Sequence, residues 1–101
     1  MEKEETARGW VFEGHKISSM RDMMTEATRA WKQKKAEKFL RAYVKHLEDT
    51  HTDSKTSLEV AVSNIKGMAR YYASNGNEMK AMREYLKIED KVREDLIKNE
   101  V

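Results

Sequence analysis

His46 and His51, with Glu48, Asp49 and Asp53 beside them, gather two imidazoles and three carboxylates into one short polar stretch. These side-chain types are ligands for divalent metals. Their spacing argues against a site, because histidines five residues apart fall on different faces of a helix, and histidines at a helix end serve its terminal carbonyls. With His15 as the third histidine, the spacings match no known ligand pattern, and neither a metal site nor a cofactor is expected. No glycine-flanked serine, phosphate-binding glycine loop or carboxylate pair is visible either, so the chain reads as non-enzymatic.

A second constellation is cationic. Lys34, Lys38, Arg41 and Lys45 recur at three- and four-residue spacing, which lines them along one side of a helix. Such a stripe can contact phosphates through counterion release, with little sequence information in the contacts. No aromatic residue stands among the four to stack a base, so an ordinary solvated face competes with nucleic-acid binding.

The third set is apolar. Met20, Met23, Met24, Ala27 and Trp31 share a helical face, and flexible thioethers fill cores but also line adaptable grooves for partner helices. Ahead of them, Trp10, Val11, Phe12 and Ile17 load large side chains onto a short glycine-bounded segment, which either covers its own domain or inserts into a partner. Trp10, Phe12, Met20, Met24 and Trp31 are therefore the candidate partner-binding residues.

Composition limits what must position these groups. A chain of 101 residues holds one modest core and little surplus for a deep cleft, and its 38% charged residues, four glycines and absent prolines suit long helices. Without cysteine there are no disulfides or thiolate metal sites, and a reducing cytoplasm fits. A glutamate-rich start and the lack of a long apolar run predict neither a signal peptide nor a membrane span. The net charge of +2 conceals an asymmetry: residues 16–45 carry nine lysines and arginines against three acids, so an electrostatic partner should meet that segment first.

The expected fold is all-α, an antiparallel bundle of about four helices over residues 18–101 with an irregular arm over 1–17. Ser19 is placed to cap the first helix with Asp22 as its capping-box partner, Ser18 being the alternative cap. Near Gln33 the apolar stripe changes sides, from Met24 and Trp31 to Phe39, Leu40, Tyr43 and Leu47. The spacing predicts a tight turn at 32–35, the alternative being one uninterrupted helix over 19–49 that buries opposite faces. A second helix runs to about Asp49 and a polar loop covers 50–55. The third helix starts at Thr56 with Glu59 as box partner and ends near Asn75-Gly76-Asn77, and the fourth, capped by Asn77, runs to about Lys98.

Ala69, Tyr72, Gly76, Ala81, Tyr85 and Ile88 space like two helices folded back on one another. In order and spacing they resemble one tetratricopeptide-repeat hairpin over 62–95. The proline expected after its second helix is missing, and stepping back about 34 residues recovers only Trp31 as a second repeat. The resemblance implies peptide or protein binding. The same residues also make sense without ancestry, since glycine permits the turn and alanines let helices approach. The sequence thus predicts a non-catalytic interaction or accessory protein that self-associates as a homodimer and binds another protein. The alternative is a nucleic-acid-binding regulator acting through the basic stripe.

Overall fold

Residues 9–50, 53–72 and 76–100 are described by a computed structural model. The Trp-Val-Phe and His-Lys-Ile triplets are separated only by Glu13-Gly14, both at positive φ (52° and 83°), the backbone a two-residue hairpin of the I′ type demands. The segment read as an arm is accordingly a β-hairpin. Strand β1, Trp10–Phe12, pairs antiparallel with β2, His15–Ile17, with Phe12 opposite His15. Alternation turns Phe12 and Ile17 into the core and leaves Val11 outside.

Helix α1 spans Met20–Lys32, and Ser19 caps it by accepting the Asp22 amide on its hydroxyl at 3.1 Å. The Asp22 carboxylate reaches back one residue further than a capping box requires, to the amide and hydroxyl of Ser18 at 3.2 Å.

The turn after Lys32 divides the two apolar stripes, and a lysine makes it. Lys34 stands at φ 62°, its amide donates to the Trp31 carbonyl at 3.0 Å, and the Lys35 amide donates to the Ala30 carbonyl at 2.7 Å. These are the paired bonds of a Schellman motif, whose left-handed position usually falls to glycine.

Helix α2, Ala36–Thr50, follows, and α3 spans Ser54–Tyr72. Helix α3 begins two residues before the expected Thr56. Asp53 rather than Thr56 caps it, accepting the Thr56 amide at 2.7 Å, and this bond holds the Asp53 carboxyl below its ordinary range. His51, one of the two histidines considered as metal ligands, lies outside the described residues.

Helix α4, Asn77–Glu100, is the longest. Gly76 stands immediately before it at φ 89° and its carbonyl accepts the Lys80 amide, so glycine takes the cap position expected of Asn77. The other half of the expected turn, at residues 73–75, lies outside the described residues.

The four helices pack on one core, with the hairpin laid against α1 and α2. Leu58, Ala61, Val62, Ile65, Met68 and Ala69 are buried along α3, and Ala81, Met82, Tyr85 and Val92 along α4. One buried tie across the bundle is polar. Tyr85, fully buried, donates its hydroxyl to the Ala27 carbonyl at 2.7 Å, joining α4 to α1, and burial pushes its phenol strongly upward.

Two outcomes follow for stability. Lys34→Gly is expected to raise it by about 0.5–1 kcal/mol, the left-handed strain relieved less the added freedom of glycine in the unfolded chain, as read by urea unfolding. Tyr85→Phe is expected to cost about 1 kcal/mol at neutral pH. Because the folded-state pKa of Tyr85 lies above the unfolded one, its contribution is intact below about pH 10 and is lost as pH rises further. Alkaline unfolding curves of the wild type and the phenylalanine variant should therefore converge.

Candidate functional site

Three surface regions gather the groups singled out above. The hairpin region is closed upon the chain itself. Phe12 meets Phe39 edge-on at 5.1 Å, and Trp10 stacks on Tyr43 at 5.8 Å and on His46 at 5.2 Å. Of the five partner-binding candidates, Phe12 and Met24 are buried in the chain's own core, and Trp10 and Trp31 are half-buried against it. Those side chains serve the fold first, because an aromatic already packed has little area left to offer a partner. Met20 is the exposed one, at 58%.

The basic stripe is interrupted by acids from distant parts of the chain. Lys34 sits in the turn before α2 rather than on it. Lys38 donates to Glu13 at 2.8 Å, and Lys35 binds the same carboxylate at 3.1 Å, holding it below its ordinary range. Arg41 is paired with Glu37 at 2.9 Å and with Asp95 of α4 at 2.6 Å, while Lys91 pairs with Glu37 at 3.0 Å. Lys45, exposed, has no ion pair among the described residues. The stripe is therefore a partly neutralised seam joining the hairpin, α2 and α4, in which three carboxylates hold four of the cations.

A second group of cations was counted in the sequence only as part of the basic excess of residues 16–45, because its spacing of eight and three residues is less regular. Arg21, Arg29 and Lys32 lie on one face of α1, bordering a groove of about 630 Å³ that runs beside Tyr71 and Tyr72 and the start of α4. Arg21 places its guanidinium 5.7 Å over the Tyr72 ring, and Tyr71 is 77% exposed. Beside it, Glu26 is buried on α1 with its carboxylate turned to the hairpin: Oε1 lies 3.0 Å from His15 Nδ1, and Arg29 Nη1 is 2.8 Å from both ring nitrogens. A buried carboxylate bonded to an imidazole, with the guanidinium 3.8 Å away as its ion pair, fastens β2 to α1.

The third region is apolar. Ile17, Met20, Met23 and Met68 line an open groove of about 450 Å³ between the start of α1 and the outer side of α3. Gly67 forms part of its wall, and a Cβ there would meet nothing within 4 Å. Asn64 closes one end by donating to the Tyr43 hydroxyl at 2.9 Å.

Among the described residues no group of three or more histidines and carboxylates is placed to hold a metal ion, and no helix is long and apolar enough to cross a membrane. Of the residues that carry the repeat resemblance, Ala69, Ala81 and Tyr85 are buried, Tyr72 and Ile88 half-buried, and Gly76 has positive φ.

Desolvation beneath Trp10 lowers the His46 pKa against a weaker upward pull from Asp49. A folded-state value below the unfolded one makes its contribution complete above about pH 6.5 and lost as pH falls through the lowered value. Acidification is therefore expected to loosen the Trp10 contact, seen as a change in tryptophan emission in a Trp31→Phe background, and His46→Gln should remove that step. Comparison with protein-family models, curated proteins and solved structures finds no match for this chain.

Proposed function

We propose that this chain is a non-catalytic protein-interaction module that self-associates through its apolar groove. One observation carries the reading. Met20 protrudes beside a groove walled by methionines and opened by Gly67, so a ridge and a receptive hollow lie on the same face. A face that carries both is suited to a two-fold contact, in which each copy offers its ridge to the other's hollow.

The outer side of α3 supports the same occupant. Val60, Ser63, Asn64 and Gly67 follow three- and four-residue spacing and are exposed, and small side chains at such positions let two helices approach closely. Unbranched thioethers then adapt to whatever surface they meet. A second copy of α3 with Met20 at its flank is the occupant that these features fit, and the dimer so formed would present two copies of every other surface to a further protein partner.

Light scattering after size-exclusion chromatography at low and high salt tests this. The wild type is expected to elute as a dimer that salt does not dissociate, because the contact is apolar. Gly67→Gln should favour the helix by up to about 1 kcal/mol while filling the hollow, so it is expected to give a more stable monomer. A wild-type monomer at every concentration, or a dimer indifferent to Gly67→Gln and Met20→Lys together, would overturn the proposal.

A further inference from the structure

Beyond self-association, we infer that the groove between α1 and the start of α4 binds a nucleotide, alone or within a single strand, with its base against Tyr71 and its phosphate taken by one of the cations Arg21, Arg29 and Lys32, the others being left for neighbouring phosphates. Three features of different kinds meet there.

The first is charge that the chain leaves compensated only at Arg29, which pairs with Glu26 of its own helix at 3.8 Å. Arg21 and Lys32 have no ion pair among the described residues, and every recorded polar contact of Arg29 is made through Nη1 alone. The three span about 16 Å along α1 at 1.5 Å per residue, long enough to follow successive phosphates of a strand. They stand in the segment where the chain concentrates its basic excess. In contrast to the seam on α2, no distant acid has been brought in to neutralise them, and the one carboxylate lining the groove is Glu78.

The second is an aromatic surface beside the charge. Tyr71 is the most exposed large apolar side chain among the described residues, held edge-on to Tyr72 at 4.8 Å. Tyr72 is in turn covered by the Arg21 guanidinium. Stacking of that kind orients a planar cation while leaving its N–H edge for a phosphate. An exposed ring next to a run of cations is the arrangement by which proteins hold single-stranded bases.

The third is unfinished hydrogen bonding. Thr28 Oγ1 and Glu78 Oε1 are buried without a hydrogen-bond partner, and both side chains line this groove. A buried acceptor left unpaired is costly. The imino and amino groups on the Watson–Crick edge of a base are donors of the kind that a carboxylate oxygen and a hydroxyl accept. Guanine offers two such donors side by side. Glu78, which would repel a bare phosphate, can serve the base end of the ligand once its side chain turns outward, because its unpaired oxygen is closed to solvent as it stands.

A free nucleotide and a nucleotide within a single strand share this chemistry, and the experiment separates them. Fluorescence anisotropy is measured with a labelled mixed-sequence single strand, in competition with guanosine monophosphate, the matching duplex and an abasic strand. Displacement by the strand but not by the monophosphate assigns the site to single-stranded nucleic acid. Displacement by both assigns it to the nucleotide itself.

Tyr71→Ala is expected to weaken binding by about tenfold, and Arg21→Gln or Lys32→Gln to lower the slope of log affinity against log salt by about 0.7 each. Circular dichroism should stay unchanged, since Tyr71, Arg21 and Lys32 are exposed. No binding by any probe, equal binding of the abasic strand, or indifference to Tyr71→Ala would overturn the inference. The variants at Gly67 and Met20 lie on the other groove and should leave this binding intact, so the two proposals fail separately.

Discussion

Phe39 is the side chain on which the parts of this molecule converge. It has no solvent exposure and it meets four other rings: Trp10 at 5.7 Å and Phe12 at 5.1 Å from the hairpin, Tyr43 at 6.2 Å from its own helix, and Tyr85 at 6.0 Å from α4. Removing such a ring from a core costs about 3–5 kcal/mol, a large share of the margin of a small domain. Its position explains why the hairpin is part of the domain. Two strands of three residues have no independent stability, and β1 and β2 persist because Phe12 and Ile17 are immersed in helices and Trp10 is laid on α2.

Electrostatics then fixes orientation rather than stability. Glu13, at the hairpin tip, is clasped by Lys35 and Lys38, while His15, at the other end of the turn, faces Glu26 and Arg29. The exposed Glu13 pairs are worth little each, and the Glu26 carboxylate is buried, yet the contacts are made from two sides of one turn and so restrict how the hairpin can rotate. Arg41, Glu37, Lys91 and Asp95 do the same for α2 against α4.

The helices, their order and most of the core were legible in the sequence, because the apolar residues of α3 and α4 hold one period throughout. Ser19 was legible as a cap from its spacing to Asp22, and the turn at 32–35 from the change of sides of the apolar stripe near Gln33. What escaped has particular causes. The hairpin was obscured because its tight turn uses Glu13 rather than asparagine or aspartate before Gly14, and because three-residue strands are too short to display alternation. The start of α3 was placed late because Thr56 and Asp53 are both competent caps and only the backbone shows which is used. The basic stripe on α2 looked free because its partners, Glu13 and Asp95, are remote in sequence. The cations of α1 were overlooked because the same helix shows its methionines and tryptophan first, and a tyrosine 39 residues beyond Lys32 supplies the aromatic that makes them a candidate site.

The bond from Tyr85 to the Ala27 carbonyl has a consequence for assembly as well as for the finished core. It joins residues 58 apart in the chain, and closing a loop of that length costs about 3–4 kcal/mol of chain entropy before any contact repays it. The β-hairpin closes over two residues and each helix over four. Local elements are therefore affordable early, while the seam between the first and last helices must wait until α2 and α3 have shortened the distance between its halves. The order of the helices in the sequence is in this sense an itinerary, and the bundle is sealed by its most distant pair.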